Sequence, residues 1–297
     1  MAEAGPAADH LAAFGDHRPL MFSIAYRMLG SAIDAEDVVQ DAYLRWAQVD
    51  AAKVRSPKDY LSAMVTRLSI DQLRSARVRR EVYVGPWLPE PLVGVDANDP
   101  VAASALSESL STAFLALLER LTPVQRAAFL LRDVFEFPYS SIARILKTTQ
   151  PNARQLVNRA KRAIAEGRPR FPCDPRMAAD LTERFLTACS SGDLQELVAI
   201  LAEDAVAWAD GGDRFHAARR PVIGVDRVAR FVAAIVKKWV AAGDVLRAPV
   251  NGGEGLVFSI GGRLRAVMTV NVQQDRIAGV YIIVNPDKLR KDSRRSS

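Results

Sequence analysis

Helical periodicity dominates residues 10–80 and 106–166, and it gives way after Met177 to a mixture of helices and alternating strands. A 3.6-residue and a 2-residue hydrophobic period build different layers, so the switch predicts helical domains followed by a separate α+β domain. Between the helical stretches, Pro, Gly and Asp crowd residues 81–105 (EVYVGPWLPEPLVGVDANDPVAASA), the composition of a linker. Gly167-Arg168-Pro169-Arg170-Phe171-Pro172 ends the second stretch. Two helices are then expected (about 177–190 and 193–202), a strand at 205–209, a helix at 225–241, and strands to about 284. The last of these, 263–273 and 276–284, read as a hairpin turning at Gln274-Asp275. The divisions so obtained are 8–80, a linker at 81–105, 106–167, 175–290 and a basic tail at 291–297.

Net charge is informative only by location. Lys plus Arg number 40 and Asp plus Glu 34, a balance of +6 in 297 residues. Residues 67–80 hold five arginines and one acid, residues 138–170 eight bases and one acid, whereas 34–41 hold Asp34, Glu36, Asp37 and Asp41 and no base. Segregated blocks predict surfaces with different partners. No apolar run approaches the roughly 18 residues of a membrane span, and the first residues lack a basic segment followed by an apolar one. A cytoplasmic protein without membrane attachment is expected. Cys173 and Cys189 cannot build a disulfide framework, and with His10, His17 and His216 they show no metal-ligand spacing. Neither a metal nor a cofactor is expected.

In DAEDVVQDAYLRWAQ (34–48), Asp34 reads as the N-cap, and Val39, Tyr43 and Trp46 share a core-facing stripe. Asp37 and Asp41 lie one turn apart, either as a solvated face with Asp41 paired to Arg45 or as a docking face for a basic protein. Ser56-Pro57 opens the next helix, with Leu61, Met64, Val65 and Leu68 inward and Arg67, Asp71, Arg74 and Arg77 outward. Arg79 and Arg80 extend that track, a surplus suited to phosphates.

Thr122-Pro123-Val124-Gln125 is a capping box opening a helix to about Phe135. A short helix at 140–146, a turn at Lys147-Thr148, and a helix capped by Thr149 follow. This last helix has an apolar face (Ala153, Leu156, Val157, Ala160, Ile164). Its opposite face carries Gln150, Asn152, Arg154, Gln155, Asn158, Arg159, Lys161 and Arg162. Two short helices joined by a tight turn, the second so loaded, predict a helix-turn-helix that reads bases near its start and phosphates further along. An exposed basic helix is the plainer alternative.

Residues 10–166 resemble a bacterial RNA polymerase sigma factor of the extracytoplasmic-function group. The resemblance rests on DAEDVVQDAYLRW (34–46), YLSAMVTRLSIDQLR (60–74) and LTPVQRAAFLLRDVFEFPYSSIARIL…QLVNRAKR (121–162). It implies binding to core RNA polymerase, at the β′ clamp and the β flap, and to promoter DNA. By position, Asp34, Asp37, Gln40, Asp41 and Trp46 would belong to the core-binding surface. Arg67, Asp71, Arg74, Arg77, Arg79 and Arg80 would lie at the −10 element. Gln150, Asn152, Arg154, Gln155, Asn158, Arg159 and Arg162 would lie at the −35 element. The family often has Trp where Tyr60 stands and Asn where Arg67 stands, departures that bear on −10 sequence preference.

WLPEPL (87–92), DGGDR (210–214) and NPDKL (285–289), in that order, resemble a subgroup carrying a fused SnoaL-like domain of the NTF2 fold. Asp213 stands where a third Gly is common. The fold class expected is thus multidomain: two all-α domains, the second a helix-turn-helix, then an α+β NTF2-like cone. The resemblance implies regulation in cis through Trp87, Leu88, Pro89 and Leu92 of the linker, Asp210, Gly211, Gly212, Asp213 and Arg214, and Asn285, Pro286, Asp287 and Lys288. Trp87 packing on its own helical domain is the plainer reading. SnoaL-like relatives include enzymes, and the cone could hold an unknown small ligand. Asp210, Asp213 and His216 near Trp208, with Tyr281, are what an acid–base site would use, and a Gly-Asp turn is the simpler account. A stand-alone ligand-responsive DNA-binding regulator is the alternative function, and an enzyme the less favoured one.

Overall fold

The computed structural model describes residues 6–50, 53–81, 83–94, 110–166, 174–213 and 217–289. The described parts of Met1–Glu81 and Leu117–Arg168 pack as one unit, and those of Val82–Asn98, Leu110–Ala116 and Pro169–Ser297 as another. This division cuts across the sequence boundaries. Both helical stretches share one unit, and the linker belongs with the C-terminal unit.

The helical unit begins with α1 (Pro6–Leu29), α2 (Ala32–Trp46) and α3 (Pro57–Glu81). Gly30 at φ 67° ends α1, and extended Ser31 caps α2 by accepting from the Asp34 N–H at 3.2 Å. The N-cap is thus Ser31, and Asp34 falls in the first turn, where a carboxylate suits the helix dipole. Ala35, Val38, Val39, Ala42 and Trp46 form the buried stripe. Tyr43, expected in it, is 38% exposed and packs edge-on against Phe14, with ring centroids 5.1 Å apart. Ser56 caps α3 as expected, accepting from the Asp59 N–H at 3.2 Å.

The rest of this unit is α4 (Thr112–Leu118), α5 (Pro123–Phe129), α6 (Tyr139–Ile145) and α7 (Gln150–Ala165), α4 being divided so that its residues through Ala116 belong to the other unit. The capping box at Thr122–Gln125 is formed in both directions. The helix does not run regularly to Phe135: a π-helical turn, Leu130–Val134, follows α5. Lys147 makes the α6–α7 turn at φ 51° without a glycine, and Thr149 caps α7 by accepting from the Asn152 N–H. Ala128, Leu131, Ile142, Ile145, Ala153 and Val157 form the core between these helices, and Ala63 of α3 packs against it.

The C-terminal unit has α8 (Pro175–Ser191), α9 (Leu194–Ile200), β1 (Leu201–Asp210), β2 (Val222–Ile223), α10 (Val225–Ala242), β3 (Asp244–Val250), β4 (Gly253–Ile260), β5 (Arg263–Gln273) and β6 (Arg276–Ile283). Six strands form one sheet in the order β2-β1-β6-β5-β4-β3, β1 and β6 parallel and the other pairs antiparallel. Strand alternation gives the sheet two apolar faces. One is covered by the helices: Phe185, Leu197, Val232, Val236 and Trp239 pack with Phe258, Met268 and Ile282 in one buried core. The other carries Trp208, Val250, Val267, Tyr281 and Ile283, and it packs against Leu88, Ala113 and Leu289. This is an α+β architecture, with helices packed on one face of a mixed sheet. Cys189 lies in the helix-face core, where burial pushes its thiol pKa up and leaves it unreactive.

Candidate functional site

The candidate residues lie on α2, α7 and α3 and around one buried carboxylate of the C-terminal unit. On α2, Asp37, Gln40 and Asp41 are exposed, and Asp34 is half-buried. Positions 33, 37, 40, 41 and 44 follow one helical face, so exposed Ile33 (47%) and Leu44 (54%) flank the acids. The face is an exposed acidic strip with apolar ends, and Asp41 and Arg45 form no ion pair among the described residues. Trp46 does not belong to it. At 0% exposure against the Tyr60 ring, its indole is core and cannot meet a polymerase surface.

On α7, Gln150, Asn152, Arg154, Gln155, Asn158, Arg159 and Arg162 are all exposed, while Ala153, Val157, Ala160 and Ile164 are buried. The Asn152 amide donates to Thr148 Oγ1 at 2.7 Å, and Arg154 lies 5.3 Å over the Tyr139 ring, which orients both at the helix start. An exposed face of amides and guanidinium groups on the second helix of a helix-turn-helix is what a major groove accepts.

On α3 the expected −10 group divides. Asp71 and Arg74 pair at 3.3 Å in solvent. Arg67 reaches neither: its Nε donates to the Ile145 carbonyl at 2.9 Å and its Nη2 to the Arg144 carbonyl at 3.1 Å. The side chains of Arg77, Arg79 and Arg80 lie outside the described residues.

In the C-terminal unit the three short motifs meet around Asp210, the last residue of β1. The carboxylate is 0% exposed. Its Oδ1 accepts from the Tyr83 hydroxyl at 2.5 Å and the Gly212 N–H at 3.2 Å. Its Oδ2 accepts from the Leu88 N–H at 2.7 Å and from Lys288 Nζ at 2.7 Å. Lys288 also donates to the Leu88 carbonyl and sits 4.1 Å from the centroid of the Trp87 ring and 5.1 Å from that of Tyr83. One buried ion pair thus holds the linker backbone on both its N–H and C=O sides, with two aromatic faces around the cation.

Neighbouring contacts extend this clamp. Asn285 donates to the Tyr83 hydroxyl at 2.8 Å, and its own carbonyl oxygen accepts from the Asp287 N–H at 3.0 Å. Burial and the Asp210 carboxylate push the Tyr83 phenol pKa well up, so it stays a donor. Leu88, Pro89 and Leu92 are buried, Trp87, Gly212 and Pro286 partly so, and Asp213 and Asp287 are exposed. Gly211 is buried behind the turn, and Arg214 and His216 lie outside the described residues.

Gly212 has φ +58°, and a Cβ there would stand 2.7 Å from the Asn285 Nδ2. Gly212→Ala should therefore displace Asn285 and loosen the linker, and faster proteolysis of residues 83–94 would measure it.

Sequence reasoning missed two members of this site. Tyr83 precedes WLPEPL and carries no motif signal. Asn251 accepts from the Leu92 N–H at 2.7 Å, donates from its own N–H to the Leu92 carbonyl at 3.0 Å, and is 1% exposed. With Gly252 (φ 51° and 76°) it makes the two-residue turn between β3 and β4. An Asn-Gly pair between strands is a hairpin signal and could have been found. Its second use as a linker anchor could not.

The acid–base reading meets a geometric objection. Asp210 already accepts four hydrogen bonds, the capacity of a carboxylate, and has no water access. Tyr281 stacks on Trp208 with centroids 4.9 Å apart, both rings lying over Gly279. Among the described residues no group of His, Cys, Asp and Glu could hold a metal ion, and no helix is long and apolar enough to cross a membrane.

An exposed acidic strip, a helix-turn-helix and a clamped linker suit a protein of transcription initiation, and comparisons with known proteins agree. Residues 13–79 match Sigma-70 region 2, and residues 111–164 match Sigma-70, region 4. The chain is 38% identical over 282 residues to the ECF RNA polymerase sigma factor SigJ of Mycobacterium tuberculosis (strain ATCC 25618 / H37Rv), covering 91% of this chain and 90% of the relative. It is 30% identical over 283 residues to the probable ECF RNA polymerase sigma factor SigI of Mycobacterium tuberculosis (strain CDC 1551 / Oshkosh), covering 94% of each. The crystal structure of Mycobacterium tuberculosis SigJ superposes with a TM-score of 0.76 at 34% identity, covering 94% of this chain and 97% of that one. The chain belongs to the extracytoplasmic-function RNA polymerase sigma factors. It binds core RNA polymerase and promoter DNA through the helical regions those comparisons identify.

Proposed function

We propose that this sigma factor docks its α2 acidic strip on the β′ clamp and its helix-turn-helix on the β flap. In this reading α7 meets the −35 element, the arginine-bearing side of α3 meets the −10 element, and the C-terminal domain sets promoter activity in cis by holding the linker. The observation that carries the reading is the convergence of WLPEPL, DGGDR and NPDKL on one buried carboxylate. A domain that grips the segment between two DNA-contacting regions controls how far apart they can reach. The buried Asp210, with four donors already on its carboxylate, supports a contact within the protein over an acid–base role at that position.

The core-binding part is tested on α2. Asp37→Lys with Asp41→Lys reverses charge at two exposed positions, so the fold should be unchanged and affinity for core polymerase should fall, by about tenfold or more as steering and contacts invert. Fluorescence anisotropy of the labelled full chain against core enzyme measures it, and unchanged affinity would overturn the docking face.

A further inference from the structure

Tyr139 opens α6 directly after Pro138, and its half-buried ring packs against the core of the helix-turn-helix. Two guanidinium groups share that ring. Arg132 of the π-helical turn lies 4.8 Å from its centroid and is itself fixed, its Nη1 donating to the Phe137 carbonyl at 3.2 Å. Arg154, early in α7, lies 5.3 Å from the same centroid. Further along α7, Lys161 has its charge met by Asp133 at 2.6 Å. Arg154 is held but unspent: it is exposed, and its N–H groups donate to no protein acceptor among the described residues.

Attraction between a guanidinium and the face of a ring consumes none of the N–H donors, so the group can be oriented and still make every hydrogen bond it is capable of. It also restricts a long side chain before any ligand arrives, which lowers the ordering cost of binding in one fixed geometry. A phosphate accepts from many directions and gains little from such restraint. A base edge demands one plane and one distance. Residues near the start of the second helix of a helix-turn-helix are those that reach base edges, and guanine O6 and N7 are the acceptor pair that matches a guanidinium fork. We propose that Tyr139 is a positioning residue for promoter recognition, its ring holding Arg154 to donate to O6 and N7 of one guanine in the major groove. This rests on the placement of α7 at the −35 element. It adds a named base for one side chain, and it gives a part in specificity to a residue outside the recognition helix.

The test is transcription by the full-length chain with core polymerase from a promoter library randomised through the −35 block, the output of each template being read by sequencing. Wild type should favour guanine at one position by about tenfold or more, the discrimination of a bidentate base contact. Arg154→Gln should cut that preference to about twofold or less while preferences at the other positions persist. Tyr139→Leu, which fills the site without an aromatic face, should weaken the preference at the same position about two- to fivefold, the effect of a partly exposed cation–π contact. Tyr139→Phe, which keeps the ring, should restore it. A Tyr139→Leu variant that lowers output on every template alike, with the guanine preference intact, would show a purely structural role and overturn the positioning. Uniform loss in Arg154→Gln, with a shallower salt dependence, would make Arg154 a phosphate contact and overturn the base assignment. A guanine preference untouched by Arg154→Gln would overturn the proposal alone, whereas wild-type output flat across the block would overturn the placement of α7 and the proposal with it.

Discussion

Asp210→Ala is expected to release the linker while the helix-face core of the C-terminal domain stays folded. The substitution removes the acceptor of the Tyr83 hydroxyl and the Leu88 N–H and takes the Asp210 carboxylate away from Lys288, 13% exposed. Breaking one side of a buried ion pair costs about 3–5 kcal/mol, more than the packing of Leu88 alone can restore. Limited proteolysis across residues 83–94 should therefore change from resistant to rapid. Asp210→Asn, which keeps the shape and one acceptor oxygen, should release the linker less. Equal protection in wild type and Asp210→Ala would mean that the apolar contacts of Leu88, Pro89 and Leu92 hold the linker without the clamp.

Trp46→Ala is expected to unfold the three-helix part of the helical unit. Trp46 is the largest of the wholly buried side chains among the described residues, packed at the end of α2 against the Tyr60 ring. Truncating a buried Trp costs about 3–5 kcal/mol, much of the stability of a unit this size. Circular dichroism melting should show the lowered midpoint. Loss of polymerase binding in this variant would then report unfolding, which separates Trp46 from Asp37 and Asp41, whose replacement leaves the core untouched. A normal melt with impaired binding would instead return Trp46 to the docking face.

What could be read from the sequence follows the range of the interactions involved. Helix caps act over three residues, and Ser56, Thr122 and Thr149 are legible for that reason; Ser31 and Asp34 are both good cap residues three apart, so the sequence alone does not choose between them. The helix-turn-helix was legible because α7 separates its faces cleanly, Ala153, Val157 and Ala160 on one side and Gln155, Asn158 and Arg159 on the other. Tyr43 was misplaced because a residue at the margin of a helical stripe can fall either way, and its neighbour Phe14 is far away in sequence. The order of WLPEPL, DGGDR and NPDKL pointed to a common role, but their meeting at Asp210 depends on contacts spanning 78 to 122 residues. Arg67 shows the same limit: nothing near it in sequence says that its partners are carbonyls 77 and 78 residues away.

The central claim is that the clamped linker governs how this sigma factor uses a promoter. Two DNA-contacting regions joined by a chain gain affinity from one another only while that chain holds them in reach, and releasing an ordered linker dilutes the second contact. The direct measurement is transcription from a two-element promoter by core polymerase with the full-length chain, wild type against Asp210→Ala, with core affinity measured in parallel. The account predicts core affinity within about twofold and promoter output lowered about tenfold, in step with exposure of residues 83–94 to protease. A linker shown by proteolysis to be released, with promoter output equal to wild type, would contradict it.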